Sequence, residues 1–148
     1  MANRIDKGIV ILLESYAAVV AAVDTDPNGF TRIYNDNVPD QVGQADKYIT
    51  VNEISYVPVK HLTDGAGYSS GLYQIDCYAP TKDGSITIRR AIQDNLESQA
   101  YILKGGVGFC EINIQSAASD PTYLDQGATA KQRREVLTVF VKALHPTT

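Results

Sequence analysis

The stretch GLYQIDCYAP (Gly71–Pro80), running straight into TKDGSITIRRAIQDNL (Thr81–Leu96), decides how this chain folds. Its first half alternates. Tyr73, Ile75, Cys77 and Ala79 point one way while Gln74, Asp76 and Tyr78 point the other, which is the period of a half-buried strand. Pro80 has no N–H to give to a ladder, so the strand stops there. Thr81 and Asp83 can then cap a helix over 82–98 in which Ile88, Ala91, Ile92, Asn95 and Leu96 recur at helical spacing. A near-zero loop between strand and helix forces the helix back across the sheet. The inward strand face therefore packs on Ile88, Ile92 and Leu96.

Outward from this unit, Ile5, Ile9, Leu12, Leu13, Tyr16, Val20 and Val23 form an apolar stripe, predicting one helix over 4–23 with Asn3 as its cap and Asp6 in the first turn. Its last part, Ala17–Val23, is nearly all small or apolar and suits close packing. The turn residues DTDPNG (24–29) end it. Phe30–Tyr34 is a short candidate strand and Lys47–Val57 a longer one. The alternation of the latter changes phase near Asn52 and Glu53, which predicts a bulge. Val107–Gln115 is expected to place Cys110, Ile112 and Ile114 on one face and Phe109, Glu111 and Asn113 on the other. The last strand, within 131–144, turns Leu137, Val139 and Val141 inward and Arg134, Thr138 and Lys142 outward. The fold class is α+β: a twisted, mostly antiparallel sheet with two helices on one face, in the order α-β-β-β-α-β-β. Residues 1–148 form a single domain, with long loops at 35–46, 58–70 and 116–130.

Composition narrows the function. Formal net charge is −4, and basic residues gather only at Arg89-Arg90 and at Lys131 with Arg133-Arg134. A phosphate-tracking protein needs a concentrated positive face, so no sequence-specific nucleic acid is expected as a partner. No run approaches the ~20 apolar residues of a membrane span, and no membrane partner is expected. The apolar run 9–13 ends at Glu14 without a small-residue cleavage site, which reads as a soluble, unexported chain. Cys77 and Cys110 fall in strands and read as buried free thiols.

No catalytic constellation emerges. His61 and His145 lack metal-ligand spacing, and Gly105-Gly-Val-Gly108 opens a strand where a phosphate cradle would open a helix. Asp76 and Glu111 are carboxylates that could pair as acid and base. The plainer reading is of outward strand residues in solvent or in salt bridges. The chain reads as non-enzymatic, with no cofactor and no metal.

The segment Gln74-Ile-Asp-Cys-Tyr-Ala-Pro-Thr81, followed by Ala91-Ile-Gln-Asp-Asn-Leu96, resembles the strand-to-helix segment of the tail completion, or tail terminator, proteins of long-tailed bacteriophages. Lys47-Tyr-Ile-Thr-Val51 and the final strand Arg134–Val141 agree with it, and the resemblance covers about residues 47–144. Pro80 departs from the family pattern, as does the length of 24–46. The resemblance implies a homo-oligomer, a hexameric ring on the end of the tail tube. That ring stops tube growth and presents a surface to the head-tail connector. Its partners would be the tail tube protein and the connector protein, with DNA passing through the ring. Its location would be the virion tail, and the host cytoplasm during assembly. Loops 58–70 and 116–130 then supply the candidate partner interface: His61, Tyr68, Asp120, Tyr123 and Asp125. The alternatives are a small-molecule-binding α+β domain using His61, Tyr68 and Asp76, an enzyme built on Asp76 and Glu111, or another neck or head-tail joining ring protein.

Overall fold

The computed structural model describes residues 4–35, 38, 46–59, 67–96, 102–104, 107–119 and 133–145. In chain order these form α1 (Ile5–Glu14), α2 (Ala17–Ala22), β1 (Ile33–Asn35), β2 (Tyr48–Val59), β3 (Gly67–Ala79), α3 (Lys82–Leu96), β4 (Ile102–Lys104), β5 (Val107–Ser119) and β6 (Arg133–His145). The six strands make one sheet in the order β1-β2-β3-β6-β5-β4. Only β1 runs parallel to its neighbour. The α+β class and the mostly antiparallel sheet are as the sequence predicts.

The strand-to-helix unit forms for the reasons its residues give. Tyr73, Ile75, Cys77 and Ala79 are fully buried, and Ile88, Ile92 and Leu96 of α3 share one core with them. The Thr81 hydroxyl accepts the Gly84 N–H at 3.1 Å, closing the first turn of α3. Leu137, Val139 and Val141 complete the same layer from β6. Cys77 is a buried free thiol, and burial pushes its pKa up.

Four expectations need correction. The N-terminal helix is broken after Glu14: Tyr16 adopts an extended ψ of 114°, and the Ser15 hydroxyl donates to the Leu12 carbonyl at 2.6 Å. A serine that bonds its own helix backbone competes with helix continuation. The break turns Val19 into the core in place of Val20. The helix begins at Ile5 behind Arg4, which pairs with Asp6, while Asn3 lies outside the described residues. In β5, register shifts at Cys110 and Gln115 change the expected faces, so that Phe109 joins the core alongside Ile112 and Ile114. The outer parts of 58–70 and 116–130 are strand: Pro58 and Val59 end β2, Gly67–Ser70 begin β3 and Ser116–Ser119 end β5. Finally, β4 is an additional strand, paired through Lys104 and Val107 with β5.

The sheet curls. α1 packs on β1 and β2 at one end of the strand order and on β4 at the other. Gly8 is the point of closest approach, where a Cβ would sit 3.0 Å from Val107 Cγ2 and 3.1 Å from Phe109 Cζ. Absence of a side chain there lets α1 settle onto the sheet.

Candidate functional site

The face of the sheet opposite the apolar core is polar and interlocked. Asp76 is only 3% exposed. Gln74 Nε2 donates to its carboxylate at 2.9 Å, Thr50 Oγ1 at 3.4 Å, and Arg134 Nε lies 3.5 Å away across β6. A carboxylate taken out of water needs such partners. Beside it runs a row of rings: Tyr48 stacks on Tyr78 with centroids 4.6 Å apart, and Tyr34 tilts against Tyr48 at 6.3 Å. On the opposite face of the same strand, Glu135 accepts a hydrogen bond from Arg89 Nε of α3 at 3.1 Å. Two adjacent residues of β6 thus carry ion pairs on opposite faces.

Arg32 ends this surface at β1. It is 8% exposed, and its Nη1 donates to the Tyr34 hydroxyl at 3.4 Å. Burial opposes its charge, but Tyr34, Asp46 and Asp26 outweigh that and raise its pKa. Phe30, 71% exposed, stands close by in sequence. Two further large apolar side chains are exposed on β2: Ile54 at 51% and Tyr56 at 43%. Ile54 occupies the register shift between Glu53 and Ser55, one residue from the predicted bulge. The phase change in the sequence marks the bulge; the exposure of its neighbours has no comparable signal.

Asp76 and Glu111 are not brought together. Asp76 stands level with Val136, whereas Glu111 stands level with Lys142, six residues along β6. At ~3.3 Å per residue that is about 20 Å. Among the described residues no group of three His, Cys, Asp or Glu is placed to hold a metal, and no helix is long and apolar enough to cross a membrane. Of the predicted interface residues, His61, Asp120, Tyr123 and Asp125 lie outside the described residues. The backbone of Tyr68 sits in β3 opposite Val59 and Leu144, and its side chain is not described.

These features define an α+β protein with a buried carboxylate held by partners on the outer face of its sheet and with large apolar side chains exposed on β2. The family of the tail completion protein gp17 matches residues 8–138, and the chain belongs to this family of structural phage tail proteins. Its fold is similar to that of a chain in the virion of a native gene transfer agent particle. The TM-score is 0.62 and the identity 16%, over 91% of this chain and 91% of that one. No curated protein sequence matches.

Proposed function

We propose that the protein caps the tail tube as a homo-oligomeric, hexameric ring, ends tube polymerisation and forms the joining surface for the head-tail connector. The observation that carries this reading is the family match over residues 8–138, supported by a fold shared across 91% of a chain from a phage-like virion. The chemistry is compatible. A ring around a DNA path should not grip DNA, and a chain of net charge −4 without a basic stripe lacks the means. Exposed Ala17, Ala18 and Ala21 on α2 allow close approach of a neighbour. His61, Tyr68, Asp120, Tyr123 and Asp125 are the residues proposed to meet tube and connector.

Removing the gene should leave tubes of abnormal length, or tails unable to join heads, when particles are viewed by electron microscopy. Restoring it with residues 121–129 deleted should give soluble, folded protein without restoring tail completion. Normal infectious particles from the gene deletion would end this reading. Normal particles from the segment deletion alone would end only the assignment of Asp125 and its neighbours.

A further inference from the structure

β2 and β5 are each half covered along their outer edges. β1 pairs only with Ile49–Val51 of β2, and β4 only with Val107–Phe109 of β5. Among the described residues no strand lies beyond Asn52–Val59 or beyond Glu111–Ser119. Exposure agrees: Glu53–Tyr56 and Gln115–Ser119 are all exposed. An open edge of this length is a template for another strand. Such edges are guarded by lysine, proline, other charges or a bulge. Neither lysine nor proline occurs in 52–57 or 111–116, each of which carries one glutamate and one bulge, and Pro58 stands just beyond the first of them.

The two bare edges fit each other. Through the ladders, Tyr56 is level with Gly71, Val141 and Ile112, and Ser55 with Leu72, Phe140 and Asn113. Asn52 is likewise level with Gln74, Thr138 and Ser116. The shifts at Ile54 and Gln115 lie one residue apart in height, on either side of the level of Val139. Three antiparallel steps separate β2 from β5, so the strands run in opposite directions. A second copy placed alongside in the same orientation would bring its β5 antiparallel to β2. Tyr56 would then meet Ile112 on the core-side face, while Ser55 meets Asn113 and Asn52 meets Ser116 on the other. The first of these pairs sets apolar against apolar and the other two polar against polar, while each glutamate meets an apolar residue. The acids do not collide: Glu53 is level with Ile114, and Glu111 with Val57. A one-residue slip would set the faces of the two sheets against each other, which excludes the adjacent registers.

We infer that β2 residues 52–57 of one copy pair with β5 residues 111–116 of the next, joining the sheets of neighbouring subunits. Such a contact is head-to-tail, the kind that closes into a ring. The inference rests on the ring reading above and specifies its joint.

The test is disulfide trapping with Ser55→Cys and Asn113→Cys together, in a Cys110→Ser background, on protein concentrated until native mass spectrometry reports its oligomer. Oxidation should give a reductant-sensitive ladder that stops at one closed species. Either single variant alone should give none, and mixing the two should stop at dimer. Absence of crosslinks in an oligomer of intact mass would overturn the edge pairing and leave the ring standing. A protein that stays monomeric at every concentration, is missing from completed tails and gives no crosslinks on them would overturn both. Unmutated protein provides a second measurement should the variants fail to fold: amide exchange in 52–57 and 111–116 should slow at least tenfold on assembly. Unchanged exchange in an assembled oligomer would also overturn the pairing.

Discussion

The two halves of β2 live in different environments, and so do the two halves of β5. Ile49 and Val51 are fully buried under α1, yet Glu53–Tyr56, a few residues on, are exposed. Val107 and Phe109 are fully buried beside Gly8, yet Gln115–Ser119 are exposed. Curling of the sheet produces this: the corners at the start of β2 and of β5 fold in over α1, and the other two flare out. Each strand therefore serves stability with one half and leaves side chains of the other half exposed. The register shifts at Ile54 and Cys110 lie where that change occurs, between buried Val51 and exposed Glu53–Tyr56 and between buried Phe109 and exposed Glu111. A bulge bends a strand and strengthens its twist, which is what such a change of environment requires.

The comparison breaks if isoleucines from the two environments cost alike. Ile92→Ala, in the core where α3 packs on β3 and β6, should destabilise by ~2–5 kcal/mol in denaturant melts. Ile54→Ser, on the flared part, should change the stability of the unassembled protein by less than about 0.5 kcal/mol. Similar losses at both positions would mean that the flared half also carries the fold.

Gly8→Val sharpens the same contrast at the closed corner. The added carbons meet Val107 and Phe109, and overpacking should cost about 1–3 kcal/mol against any gain in helix propensity. A more stable variant would show that α1 does not seat as closely on β5 as the geometry gives.

The smallest effect belongs to Tyr16, at the break between α1 and α2. Its hydroxyl is buried without a partner, and burial pushes its pKa up to about 12. The unfolded tyrosine ionises near pH 10, so the native state holds this proton more tightly. Stability should fall as pH rises from about 10 to about 12, and Tyr16→Phe should flatten that part of the fall. At pH 7 the same variant should be neutral or stabilised by about 1 kcal/mol, since it removes an unpaired buried group. A clear loss of stability at pH 7 would show that the hydroxyl has a partner in solution.

Legibility in the sequence follows how local the determining physics is. The strand-to-helix unit, its cap at Thr81 and the faces of β3 and β6 are all set by periodicity within a few residues, and all stand as predicted. What failed depends on longer range or on single backbone bonds. The break at Ser15 turns on one hydroxyl choosing the Leu12 carbonyl inside an otherwise unbroken apolar stripe. The bulge at Cys110 reverses the expected place of Phe109, because the pull of the core beneath Gly8 outweighs simple alternation. β4 is three residues long and has no periodicity to detect. The polar cluster around Asp76 was visible only as alternating residues; its closure by Thr50 and Arg134 needs three strands in register.

The most direct measurement of the ring itself is the native mass of the unmodified protein, taken across rising concentration and again on isolated tails. The account predicts one closed oligomer, a hexamer, that forms at high concentration or at the end of the tail tube and occupies that end alone. A chain that stays monomeric throughout and is missing from completed tails would contradict it.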